Sequence, residues 1–104
     1  MKPRPKQLLG KTHKIKINDD LKFYITVNYL EDKPYEIFVN CKNVDAIEHL
    51  TAVTLMISRM LQSQIDPGII AADLKSIHSA KTGHFHGKAG WIPSLYARVG
   101  ELLV

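Results

Sequence analysis

The sequence predicts an α+β fold: a three-stranded or larger antiparallel meander at the N-terminus, followed by two to three helices packed on one sheet face. Three observations predict it. Apolar and polar residues alternate between His13 and Cys41, the period of half-buried strands. Two turn sequences, Asn18 to Asp20 and Glu31 to Pro34, divide that stretch into three. Beyond Asn43 the apolar period changes to that of helices.

The first strand is "HKIKI", His13 to Ile17, with lysines on one face and isoleucines on the other. The second, "LKFYITVNYL", Leu21 to Leu30, is the strongest, rich in β-branched and aromatic residues. Leu21, Phe23, Ile25, Val27 and Tyr29 share its inward face. The third, Tyr35 to Cys41, turns Ile37, Val39 and Cys41 the same way. Asn43 is the expected cap of a helix from Val44 to Ser63. One apolar stripe there holds Ile47, Leu50, Thr54, Ile57 and Leu61; a second holds Ala46, Val53, Met56 and Met60. Together they cover about half the helix, more than the arc of about 100° that resting on a sheet requires. The excess predicts further burial, against later helices and another subunit, with His49, Val53, Met56 and Met60 at the subunit contact. Asp66 as cap and Pro67 at the first helical position open a second helix, with Ile70, Leu74 and Ile77 inward. A third begins at Pro93, with Leu95, Val99 and Leu102 inward and Ser94, Arg98 and Glu101 on the polar side.

Length allows one domain and not two, since the chain has 104 residues. A core of this size gives thin stability, so association with a partner, here a homo-oligomer, is expected. No apolar run approaches the roughly 20 residues that span a bilayer, so a membrane is not an expected partner. Cys41 is the only cysteine, which excludes an internal disulfide and paired-cysteine zinc motifs and points to a reducing cytoplasm. The net charge of +4 is concentrated at one end. Lys2, Arg4, Lys6, Lys11, Lys14 and Lys16 fall in the first 16 residues with no acid among them. Residues 1–11 are therefore expected to form a basic flexible arm, and residues 12–104 a single α+β domain.

The segment "AKTGHFHGKAGWIPSL", Ala80 to Leu95, concentrates ligand-binding chemistry in what reads as a loop. No nucleophile elbow, P-loop or dinucleotide fingerprint exists anywhere in the chain, and nothing assembles an enzyme. His84 and His86, with His78 nearby, lack a definable third ligand, so neither a metal nor another cofactor is expected. Anion binding fits best. Gly83 permits close approach; Lys81, Thr82, His84, His86 and Lys88 supply charge and hydrogen bonds; Phe85 and Trp91 offer faces for a base. The following helix start, with Ser94, favours phosphate, and Arg98 lies about one turn further in. The competing reading of Arg98 is a surface pair with Glu101.

The runs "KTHKIKI", "LKFYITVNYLEDKPYEIFVN", "IIAADLKSI" and "PSLYARVGELL" resemble the TSCPD domain, which occurs near the C-terminus of adenosylcobalamin-dependent ribonucleotide reductases and as stand-alone chains, many in phages. The resemblance covers roughly Thr12 to Leu103. It departs where the name-giving segment would carry a cysteine: here the chain reads "WIPSLYA", with Ser94. Stand-alone chains of similar architecture include a phage family that inhibits Thoeris immunity. The resemblance implies a non-enzymatic, oligomeric sponge that sequesters a cyclic ADP-ribose or cyclic oligonucleotide messenger at subunit contacts, in the bacterial cytoplasm if the chain is phage-encoded. Arg59 would then project into a neighbour's pocket. The alternatives are an accessory subunit related to the reductase domain and a small nucleic-acid binder using the basic arm. Nucleic acid is the less favoured partner, because Tyr24 alone on an outward strand face does not build a base-reading sheet.

Overall fold

In the computed structural model, residues 3–42, 44–88 and 90–104 are described, and for residues 44–46 the backbone only. The expected cap Asn43 and the stripe position Ala46 thus lie outside the described residues and side chains. Three strands, β1 (Leu9–Asn18), β2 (Leu21–Leu30) and β3 (Lys33–Cys41), form an antiparallel sheet in the order β1-β2-β3. Helices α1 (Val44–Gln62) and α2 (Pro67–Lys75) follow, then a hairpin of β4 (His84–His86) and β5 (Gly90–Ile92), then α3 (Leu95–Leu102). The architecture is the expected α+β meander with three helices.

Both meander turns have local causes. Asn18 Oδ1 accepts the amide of Asp20 at 2.9 Å, and Asn18 faces Leu21 across a two-residue loop. Glu31 and Asp32 both adopt positive φ, 53° and 65°, as a two-residue loop matched to right-handed strand twist requires. Pro34 fits inside β3 because that strand lies at the sheet edge, where a missing N–H breaks no ladder.

Alternation sends Ile15, Phe23, Ile25, Val27 and Ile37 to one buried face. Leu50, Ile57 and Leu61 of α1, Ile70 and Ala71 of α2, and Leu95, Val99 and Leu102 of α3 complete the core. The free edge of β3 is closed by α1. The Ser58 hydroxyl, buried, accepts the Ile37 amide at 2.9 Å and donates to the Ile37 carbonyl at 3.0 Å. In an antiparallel ladder alternate residues turn both backbone groups away from the partner strand. One side chain thus satisfies both groups of such a residue.

Asp66 caps α2 by accepting the Gly68 amide at 2.8 Å, with Pro67 at the first position, as expected. Two boundaries differ from the sequence reading. Ile77 lies beyond the end of α2 and is exposed; Ala71 takes the buried position instead. The arm is shorter than residues 1–11, because β1 already begins at Leu9. Arg4 is also docked: its Nε and Nη2 donate to both oxygens of buried Glu36, the closest approach being 2.7 Å. Gly100 lets α3 approach α2, since a Cβ there would lie 2.9 Å from the Ala71 carbonyl.

Replacing Ser58 by alanine orphans a buried donor and a buried acceptor, at about 1–3 kcal/mol each. The melting temperature of Ser58→Ala is expected to fall by several degrees in a thermal melt, while Ser63→Ala, on an exposed turn, leaves it unchanged.

Candidate functional site

The glycine- and histidine-rich segment is a small hairpin rather than an irregular loop. His84 pairs with Ile92, Phe85 with Trp91 and His86 with Gly90. Strand alternation therefore sorts its chemistry onto two faces. Phe85 and Trp91 stand together on the outward face, 78% and 56% exposed. Their ring centroids are 5.0 Å apart at an interplanar angle of 69°, an edge-to-face pair. His84 and Ile92 are buried on the opposite face, with His86 half-buried. The expected residues are thus divided: the aromatics do not share a face with the histidines.

Gly83 has a specific role in this arrangement. A Cβ at that position would lie 2.5 Å from Trp91 Cζ2 and 3.0 Å from Cη2, so the indole lies across the backbone that glycine leaves bare. The hairpin thereby holds its outward tryptophan without an enclosing pocket.

The inward face is a structural polar network. Arg98 Nη1 donates to Glu101 Oε2 at 2.9 Å, and Nη2 reaches His86 Nε2 at 3.2 Å. A guanidinium can only donate, so His86 Nε2 is the acceptor. The Thr82 carbonyl can only accept, so His84 Nδ1, 2.9 Å away, is the donor there. The remaining nitrogens, His84 Nε2 and His86 Nδ1, are buried and make no hydrogen bond among the described residues. The Arg98 side chain is only 15% exposed, and its pairing with Glu101 matches the competing reading of that residue.

The helix start is also occupied. Ser94 is fully buried; its hydroxyl accepts the Ala97 amide at 3.0 Å and donates to the Ile77 carbonyl at 2.7 Å. Thr82 Oγ1 accepts the Leu95 amide at 3.1 Å. These caps take up the Leu95 and Ala97 amides, two of the helix-start donors expected to bind phosphate. Ser94 also leaves the polar surface assigned to it, because capping turns its hydroxyl into the protein. Lys81 and Lys88 are exposed near the hairpin, and Arg59 is exposed in the last turn of α1.

A model of the TSCPD domain matches residues 1–103. The chain belongs to the TSCPD domain family. No curated protein and no solved structure matches it. In this TSCPD domain, Ser94 stands in the segment where a cysteine was expected, and its hydroxyl serves as a helix cap rather than as exposed chemistry. Among the described residues, no three histidine, cysteine, aspartate or glutamate side chains come together as a metal site. No helix of the described residues is long and apolar enough to cross a membrane. Cys41 is half-buried and packs against the core.

The second stripe of α1 is only partly covered: Val53 and Met60 are half-buried against the core, and Met56 stands out. Met56 is 61% exposed, and with Val53, Met60, Ile65 and Ile69 it lines a groove of about 530 Å³ between α1 and α2. His49 is exposed on the same helix. The later helices account for one wall of the excess apolar arc, and the other side of the groove is open.

One residue outside the hairpin joins the site. His13 of β1 lies within the field of Arg98, and its pKa is lowered, first by burial and then by Arg98 and Lys11. Nothing in the sequence singles it out, because only the fold brings β1 beside the hairpin.

Two outcomes follow from this geometry. The folded state binds the His13 proton less readily than the unfolded chain, whose value lies near 6.5. The His13 contribution to stability is therefore complete above that value and lost as pH falls through it toward the depressed folded value. Melting temperatures measured between about pH 7.5 and 5 should fall more steeply for the native chain than for His13→Gln. Gly83→Ala should displace the indole, seen as a shift in the intrinsic fluorescence of Trp91, the only tryptophan, and lower the melting temperature modestly, because the added Cβ also lies 3.1 Å from the Ser79 carbonyl.

Proposed function

We propose that this TSCPD domain is a binding protein without turnover, which sequesters a nucleotide-derived messenger of the cyclic ADP-ribose or cyclic oligonucleotide class. The observation that carries this reading is the exposed Phe85–Trp91 pair, held edge to face on a hairpin whose inward side is anchored to α3. Exposed aromatic surface costs free energy in water and is recovered when a base stacks on it. Lys81 and Lys88 supply positive charge to phosphates beside that platform. Arg98, expected as a phosphate ligand, is a positioning residue in this reading, because its donors hold Glu101 and His86.

Absence of turnover is favoured by how the reactive groups are spent. Ser94 and Thr82 cap α3, and each imidazole commits one nitrogen to the fold. The open groove at Val53, Met56 and Met60 supports a homo-oligomer, with α1 of a second copy as the occupant. Arg59, on the same helix, would then lie near that contact.

Native mass spectrometry with a panel of cyclic nucleotides and cyclic ADP-ribose isomers tests the reading. A ligand-dependent mass shift on an oligomer is expected, and Met56→Asp should reduce the oligomer to monomers. In calorimetry Trp91→Ala should weaken the ligand found by about fivefold or more, the stacking contribution of one base. No mass shift with any member of the panel would exclude this function.

A further inference from the structure

We infer that the uncovered face of the β1-β2-β3 sheet is a binding surface for single-stranded nucleic acid, separate from the hairpin. The ladder register builds it in rungs. Lys16 lies opposite Lys22; Lys14, Tyr24 and Asn40 form the next rung; Thr12, Thr26 and Phe38 the next; Gly10, Asn28 and Glu36 the last. All these side chains leave the sheet on the side away from Phe23, Ile25 and Val27.

Two aromatics stand on this face in the open. Tyr24 is 43% and Phe38 50% exposed. Phe38 sits one rung along on the neighbouring strand, a diagonal separation of about 7–8 Å between backbones that long side chains span. Their rings are therefore placed for neighbouring bases of one strand. Asn40, exposed beside Tyr24, and the Thr12–Thr26 hydroxyl pair, 2.8 Å apart, add hydrogen-bonding groups between the rings.

Charge selects the partner. Lys14, Lys16 and Lys22 are exposed on adjoining rungs. Asp19, at the turn end, pairs with Lys16 at 3.0 Å. At the other end the Glu36 carboxylate is covered, bound by Arg4 and by Asn28 Nδ2 at 2.8 Å. A second copy of the same face would bring lysine against lysine, which disfavours self-association. The face instead matches a partner that carries regularly spaced negative charge and flat rings together. Single-stranded nucleic acid has both, and sheets with exposed aromatics bind it by stacking successive bases while lysines track the phosphates.

Fluorescence anisotropy with a labelled oligothymidylate and a labelled oligouridylate at low salt tests the proposal. The native chain should bind, with a log–log salt slope of about −2, as three phosphate contacts on a single strand give. Lys14→Ala should make the slope shallower by about 0.7. Tyr24→Ala and Phe38→Ala should each weaken binding about fivefold or more without changing the slope. Tyr24 and Phe38 are about half covered by strand neighbours, so these two variants should melt a few degrees lower yet remain fully folded at the binding temperature, while Lys14→Ala should melt like the native chain. Trp91→Ala should bind the oligonucleotide normally, which separates this surface from the hairpin; loss of binding in that variant would overturn the assignment. No binding at low salt, or unchanged affinity in both aromatic variants, would also overturn it. Equal displacement by polyglutamate would overturn it in favour of an acidic protein partner.

Discussion

The two hydrogen bonds between the Ser58 hydroxyl and the backbone of Ile37 fix where α1 lies, and most of the molecule depends on that placement. An edge strand under a helix leaves backbone groups that water cannot reach, and each must find a partner. Serving both from one short side chain brings the helix against β3 and sets its rotation. Leu50, Thr54, Ile57 and Leu61 then point into the core, while Met56 and Leu55 point out. Thr54 is tolerated inside because its hydroxyl returns to the Leu50 carbonyl at 2.8 Å. The groove between α1 and α2 is a consequence of the same rotation. So is the grouping of the helices on one sheet face, with the other face left to solvent.

At the hairpin the governing constraint is alternation over three residues. A strand this short has no core of its own, so its inward side must be anchored by polar contacts to α3. His86 to Arg98 and Thr82 to the Leu95 amide supply them, with Glu101 of α3 holding Arg98 in place. These groups looked like ligands because they are cationic or polar and close in sequence. In the fold they hold the aromatic pair in one orientation, and a platform already ordered loses less entropy when a partner binds. Under the proposed function, positioning and contact are thus divided between the two faces of one hairpin.

The meander, its turns and the α1 stripes were legible because each spans enough residues to display a period. Strands of nine or ten residues with Asn-Asp and Glu-Asp turns carry the signal locally. The hairpin was not legible: three residues of β4 and three of β5 are too few to separate alternation from chance. Ser94 was assigned to a polar helix face by period alone, yet a cap obeys hydrogen-bond geometry and not the helical period. Ile77 was extrapolated past a helix that ends at Lys75. His13 near Arg98 and Arg4 on Glu36 are long-range pairings that no local pattern encodes. The division of the hairpin segment between an aromatic face and a polar face was therefore visible only in three dimensions.

The Arg4–Glu36 pair shows how the N-terminal segment acts on the sheet rather than beside it. Alternation in β3 turns Glu36 to the same face as Tyr24 and Lys14, where an ionised carboxylate would oppose an anionic partner. The Arg4 hydrogen bonds lower the pKa of that carboxyl, against the opposing effect of burial. Glu36 thus remains ionised and paired above the ordinary carboxylate range, and is protonated only as pH falls through the lowered value. Throughout neutral pH its charge is matched by the guanidinium and shielded from the open face. Arg4 and the strand lysines therefore play two separate parts. Arg4 cancels a negative charge that the strand pattern imposes, and the lysines of β1 and β2 are left to set the sign of the surface.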